Sequence, residues 1–123
     1  MTLIADKAST EFNHQVNMII ALMRMNFTVE GEVVPKDYPT TRFDVCVMSG
    51  RKILGVVEMK RNTKGNMQQH EKDFWQTEQG IRYWNIGKTH GIPVLYCAGP
   101  SEINRVAREM KRALTPWWLR WLI

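Results

Sequence analysis

The chain has 123 residues, of which 44% are hydrophobic and 24% are charged, and this suits one folded domain with a buried core. The composition excludes a disordered tail, and no run reaches the ~18 continuous apolar residues that a membrane span needs. Seventeen Lys and Arg against twelve Asp and Glu leave a net charge of +5, which favours a polyanion as partner.

The first predicted element is an amphipathic helix over residues 9–26. A Ser-Thr pair at its start supplies a hydroxyl cap, and the apolar residues that follow are spaced by three and four. The next stretch, 31–41, contains Pro35 and Pro39. Because proline cannot donate a hydrogen bond to a central ladder, this stretch is predicted as a loop or an edge strand.

Two strands are predicted over 42–48 and 52–60, joined by a turn. Both are apolar on both faces, which is typical of central strands covered by helices on either side. The remaining predicted elements are a polar loop (61–67), one long helix (68–88), a strand (92–98) and a helix that opens at Gly99 and stops at Pro116.

The element order predicts a single α/β domain over residues 1–123, with a small mixed sheet flanked by helices. Residues 116–123 form an aromatic tail whose side chains are nearly all large and apolar. Such a patch needs a cover, and we expect a homodimer or another oligomer through the tail. Packing of the tail on its own domain is the close alternative, and membrane association is a distant third.

The two cysteines, Cys46 and Cys97, lie far apart in apolar runs, which predicts buried thiols instead of a disulfide framework or a zinc site. The amino terminus lacks the layout of a signal peptide. We therefore expect a cytoplasmic protein, in the host cytoplasm if the chain is phage-encoded, with no membrane partner.

The residues that indicate chemistry lie on the two central strands. If the hairpin turns near residue 51, partner numbers sum to about 102, which places Asp44 opposite Glu58. Alternation then puts Lys60 on the same face as Glu58, while Met59 points away into the core. Two carboxylates and an ammonium group therefore converge at one end of an otherwise apolar sheet.

Two carboxylates at this range repel each other unless a cation lies between them. A hard divalent cation such as Mg²⁺ resolves the repulsion, and it typically takes one or two carboxylates and keeps its waters. Such an ion polarises a phosphate oxygen, so the parts suit phosphodiester hydrolysis. The alternative is structural: Asp44 pairs with Arg42 or Lys60, and Glu58 and Lys60 form a solvated strand end.

Asp44, Glu58 and Lys60 on adjacent strands, after a helix that carries Glu11, resemble the PD-(D/E)XK nuclease superfamily with its restriction-endonuclease-like fold. The core of that fold is a helix, three strands, a helix and another strand (αβββαβ), and the order predicted above agrees with it. Phe43 precedes Asp44, where the family motif has Pro. The resemblance covers most of the chain.

A second match lies in the predicted helix 68–88, where Gln79 and Tyr83 fit the Q-x-x-x-Y motif of RecB-like nucleases. The two residues are one helical turn apart and face the same way. Small Holliday-junction-resolvase-like nucleases and phage nucleases of the VRR-NUC type are similar in size. The resemblance implies that Gln79 and Tyr83 border the active site and that Glu11 joins the metal ligands. A capping carboxylate is the equal alternative for Glu11.

The resemblance implies a Mg²⁺-dependent deoxyribonuclease, with Mn²⁺ able to substitute, that cuts within DNA during repair, recombination or phage and mobile-element DNA processing. Asp44 and Glu58 would bind the metal together with the Met59 carbonyl, and Lys60 would assist the attacking water. The alternative is a nuclease-fold module without catalysis that binds DNA or another protein.

Basic residues near these motifs indicate sequence-independent, salt-sensitive contacts to DNA phosphates. A solvated surface accounts equally for any one of them taken singly. The predicted nucleic-acid contacts are Arg61, Lys64, Lys72 and Arg82.

The histidines and tryptophans carry weaker signals. His14, His70 and His90 have no metal-ligand spacing and are predicted as surface or helix-end residues. Trp75 and Trp84 are predicted as core residues, with base stacking as the alternative.

Overall fold

The computed structural model describes the backbone of residues 6–122 and the side chains of residues 13–120. Within that part of the chain, four strands form a single sheet and four helices pack around it. In chain order the elements are α1 (Asp6–Met23), β1 (Thr28–Val33), β2 (Phe43–Ser49), β3 (Lys52–Met59), α2 (Met67–Trp75), α3 (Glu78–His90), β4 (Val94–Cys97) and α4 (Ile103–Leu114). Short 3₁₀ turns cover Pro100–Glu102 and Trp117–Leu122.

The sheet is mixed and has the strand order β1-β2-β3-β4. The first three strands are antiparallel, whereas β4 runs parallel to β3 after the crossover through α2 and α3. The predicted α/β class with a small mixed sheet is therefore confirmed.

Helices cover both faces of the sheet, which is why the central strands are apolar on both sides. One buried cluster joins α1 and α4 to the sheet, and the other joins α2 and α3. The first includes Met18, Leu22, Val45, Val57 and Met110, and the second includes Phe43, Val56, Phe74, Tyr83 and Tyr96. Cys46 and Cys97 are fully buried free thiols, as predicted.

The predicted helix over 68–88 is wrong, because the structure has two helices there. Thr77 caps α3: its hydroxyl donates to the Phe74 carbonyl (2.6 Å) and accepts from the Gly80 amide (3.0 Å). Gly80 lets the helices cross closely, since a Cβ at this position would collide with the Phe74 carbonyl oxygen. The spacing of apolar residues does not reveal this break, because α2 and α3 pack into the same buried cluster.

The other boundaries shift by a few residues. The first helix ends at Met23 instead of near Asn26, which adopts a left-handed backbone (φ 70°). The stretch predicted as loop or edge strand contains the end of edge strand β1, and the loop proper begins after Val33.

The aromatic tail forms the last 3₁₀ turn, and Trp117 remains 79% exposed. The described chain therefore does not cover this indole. Dimerisation through the tail stays a prediction. None of the helices among the described residues is both long and apolar enough to cross a bilayer.

Candidate active site

The carboxylate pair lies where β2 begins and β3 ends. Val45 pairs with Val57 and Cys46 with Val56, so the predicted register is confirmed in this half of the hairpin and brings Asp44 opposite Glu58. A bulge after Val47 shifts the other half by one residue. The bulge is harmless to the site because it lies towards the turn.

Asp44 and Glu58 are in direct contact. Their carboxyl groups are hydrogen-bonded to each other, and Asp44 Oδ2 also accepts the Met59 amide at 2.8 Å. Glu58 is only 2% exposed. Burial, followed by the hydrogen bond and the charge of Asp44, raises the pKa of Glu58 to about 9. The pair therefore holds a proton at neutral pH when no cation is bound.

Lys60 faces the pair, as strand alternation predicts. Its Nζ lies 3.9 Å from Glu58 Oε2, and its side chain is 45% exposed. The Lys60 charge opposes the rise in the pKa of Glu58 without cancelling it. Met59 points to the opposite side and is buried in the α1–α4 core, which was also predicted.

Two residues of α1, which the sequence argument missed, fix the backbone beneath this pair. His14 Nε2 donates to the Lys60 carbonyl at 2.8 Å, and Gln15 Nε2 donates to the Asp44 carbonyl at 2.7 Å. The Lys60 amide is held as well, by the Cys97 carbonyl at 2.9 Å. The ends of both acidic strands are therefore tied to α1 and β4.

The prediction that His14 lies on the surface is wrong, since the residue is 4% exposed. Burial lowers its pKa, so the ring is neutral at pH 7. Nδ1 has no hydrogen-bond partner within the described residues. The available signal was position: His14 and Gln15 lie one helical turn after Glu11, the residue singled out on this helix.

The Q-x-x-x-Y pair borders the site from α3. Gln79 Nε2 donates to the Tyr83 hydroxyl at 3.2 Å, and that hydroxyl donates to the Arg42 carbonyl at 3.0 Å. Tyr83 is buried, and burial together with the charge of Glu58 raises its pKa to about 12. It therefore serves as a neutral donor that anchors α3 to the start of β2.

These residues surround a cavity of about 240 Å³. Its lining is His14, Gln15, Asp44, Glu58, Met59, Lys60, Arg61 and Gln79. Most of the residues predicted for the site thus come together here. Tyr83 does not line the cavity, but it is hydrogen-bonded to Gln79, which does. Of the predicted DNA contacts, Arg61 lines the cavity, whereas Lys64, Lys72 and Arg82 are exposed outside it.

The tryptophans of the two crossover helices form an edge-to-face pair with ring centroids 6.1 Å apart. Trp75 is half-buried, but Trp84 is 59% exposed, so its prediction as a core residue is wrong. Its apolar spacing placed it correctly on α3 but could not show that this part of the helix faces solvent.

The donor set fits a hard cation. Two contacting carboxyl groups share a proton in the absence of metal, and a divalent ion that replaces this proton relieves their repulsion. Among the described side chains no group of three or more His, Cys, Asp and Glu ligands is present. Mg²⁺ needs no such cluster, because one or two carboxylates and water molecules suffice. The side chain of Glu11, the third predicted acidic ligand, lies outside the described residues.

Comparisons of the chain with protein-family models, with curated proteins and with solved structures found no match. The resemblance to the PD-(D/E)XK nucleases therefore stays a prediction that rests on the motifs and on the geometry of the site.

Proposed function

We propose that this protein is a Mg²⁺-dependent nuclease that hydrolyses DNA phosphodiester bonds, with a restriction-endonuclease-like core of the PD-(D/E)XK type. One observation carries the proposal: Glu58 and Asp44 are held in contact, with Glu58 buried, beside a polar cavity that Lys60 faces. Such a pair destabilises the fold at neutral pH, and strained acidic pairs of this kind concentrate at functional sites.

The metal ligands in this proposal are the carboxylates of Asp44 and Glu58 and the backbone carbonyl of Met59. Position 11 is one turn before His14 on α1, which supports Glu11 as a further acidic ligand. When bound, Mg²⁺ (or Mn²⁺ in its place) supplies a Lewis acid that offsets the charge on phosphate oxygens.

The chain's own groups would orient the remaining participants. Lys60 donates hydrogen bonds to the attacking water or to a phosphate oxygen, where negative charge grows as the phosphorus is attacked. Arg61 lines the same cavity and binds a phosphate of the cut strand. The water oxygen then bonds to phosphorus and loses a proton to solvent, the ester P–O bond breaks, and the leaving oxygen takes up a proton from solvent.

DNA as substrate is supported by the charge of the surroundings. The net charge is +5, and the four cations Arg61, Lys64, Lys72 and Arg82 are all exposed. None of them forms an ion pair with another side chain of the described chain. They therefore remain available to phosphates, and we propose that they hold the DNA backbone.

The test is a cleavage assay on a panel of DNA substrates: duplex, single strand, nick, flap and four-way junction, each with Mg²⁺ and with EDTA. We expect Mg²⁺-dependent cleavage of at least one substrate, lost in Asp44→Asn. The matched control is Asp73→Asn, which changes an exposed aspartate on α2 and should cleave as the wild type does.

Absence of cleavage on every substrate, with salt-sensitive DNA binding retained, would overturn the proposal. That result would favour the alternative of a binding module without catalysis. Equal cleavage in EDTA would contradict the metal site specifically.

A further inference from the structure

A second cavity, of about 270 Å³, lies on the α3 side of the sheet, away from the carboxylate pair. It is bounded by the loop after β1, by the β2–β3 turn and by the last turn of α3. Gln79 at the first site and His90 at this one are separated by roughly 16 Å of helical rise. The two cavities share no lining residue.

The floor of this second cavity is apolar and its wall is aromatic. Phe43, Ile53, Ile86 and Ile92 contribute to the lining. On the loop side stands Tyr38, whose hydroxyl lies 2.9 Å from His90 Nε2 and whose ring meets the imidazole edge-on at 5.6 Å. That contact ties the loop to the end of α3.

Three basic side chains against one carboxylate, that of Asp37, give the rim a net positive charge. Lys36, Arg51 and Lys52 line the cavity, and none of them forms an ion pair with a described side chain, not even with Asp37 beside them. Three unpaired cations around one small apolar cavity therefore select an anion.

We propose that this cavity binds a nucleotide, with the base on the apolar and aromatic lining and the phosphate on Arg51, Lys52 and Lys36. A bare inorganic anion leaves the apolar lining exposed, and an apolar ligand leaves the cations without a partner. A flat heterocycle that carries a phosphate satisfies both, because aromatic side chains stack on bases and guanidinium groups bind phosphate. The source is either a free nucleotide or the terminal nucleotide of a DNA strand.

The test is an NMR titration of the ¹⁵N-labelled full chain in EDTA, so that cleavage plays no part. The probes are dAMP, adenosine, deoxyribose 5-phosphate and a 5′-phosphorylated single-stranded oligonucleotide. We expect dAMP to shift amide signals of the loop after β1, the β2–β3 turn and the end of α3. Adenosine and the sugar phosphate, which each lack one half of the ligand, should bind more weakly.

Arg51→Ala should weaken dAMP binding about fivefold or more, since it removes one charge-assisted contact. Arg112→Ala, which removes an exposed cation on α4, should not change it. Tighter binding of the oligonucleotide at the same amides identifies a strand end as the ligand, and a response to dAMP alone identifies a free nucleotide. Shifts confined to the carboxylate site, no shifts at millimolar dAMP, or unchanged binding by Arg51→Ala would each overturn the proposal. The first proposal is untouched by any of these results, because no metal or cleavage enters the measurement.

Discussion

Glu58 is the residue at which stability and function conflict. Its side chain is almost completely buried, and burial together with the Asp44 carboxyl group outweighs the Lys60 ammonium 3.9 Å away. The folded protein therefore prefers the neutral acid, with a pKa raised from 4.5 to about 9. Stability contributed by this preference is fully present below pH 4.5 and is lost as the pH rises towards 9.

We predict that Glu58→Gln stabilises the metal-free protein at pH 8, because the amide keeps the size of the side chain and cannot ionise. The gain should be about 1 kcal/mol or more, which is ~3–6 °C in Tm for a domain of this size. The measurement is thermal unfolding in EDTA at pH 5 and pH 8.

The variant should gain little at pH 5, where Glu58 is neutral in the folded protein. Glu30→Gln, which changes an exposed residue of the edge strand, is the control and should shift Tm by little at either pH. A Glu58→Gln variant less stable than the wild type at pH 8 would contradict the claim that burial and Asp44 make the ionised form of Glu58 unfavourable in the folded protein.

Among the helices and strands, α1 holds in place the two strand ends that form the site. Both of its side-chain ties end on backbone carbonyls, one at the start of β2 and the other at the end of β3. Loss of a tie leaves a carbonyl without its partner, and the strand end that carries Asp44 or Lys60 is then free to shift.

We predict that His14→Leu lowers the free energy of unfolding by roughly 1–2 kcal/mol, since it removes the donor to the Lys60 carbonyl at a buried position. Urea unfolding measures the change. His70→Leu is a matched control, because His70 Nε2 also bonds a backbone carbonyl, that of Lys64, but on the surface. An equal loss in both variants would mean that the buried bond from α1 stabilises the fold no more than the surface bond of His70 does.

The helices and strands also show which features of the fold were predictable from the sequence. The register between Asp44 and Glu58 was predictable, because it follows from strand periodicity and a short turn. The break between α2 and α3 was not, since it depends on Thr77 bonding across the junction and on Gly80 meeting a carbonyl of the preceding helix. The burial of His14 was not predictable either, because it arises only when α1 packs on the folded sheet.

For the molecule as a whole, the positive charge is divided between paired and unpaired groups. Arg105 on α4 is neutralised by Glu71, Glu102 and Glu109. Arg42 pairs with Glu32 and Lys60 with Glu58, whereas Arg61, Lys64, Lys72 and Arg82 make no ion pair among the described residues. These four exposed cations, of which Arg61 lines the site, are therefore available to phosphates.

We predict that Lys72→Ala reduces the salt dependence of DNA binding, because one phosphate contact is lost. The slope of log K against log salt should become less negative by about 0.9. Binding is measured in EDTA by fluorescence anisotropy at several salt concentrations. Lys111→Ala on α4 has the same charge change and should leave the slope as it is. Equal slopes in all three proteins would remove Lys72 from the interface.

The central claim, that the Asp44–Glu58 cavity hydrolyses DNA, is tested most directly by single-turnover cleavage rates in Mg²⁺ for the wild type, Lys60→Ala and Lys111→Ala. Lys60 is half-exposed and lies at the strand end, so its truncation leaves the core intact. We predict that Lys60→Ala is slower by roughly 10²-fold or more, the usual effect of removing a group that stabilises transition-state charge, while Lys111→Ala retains the wild-type rate. A Lys60→Ala protein that cleaves at the wild-type rate would contradict the central claim.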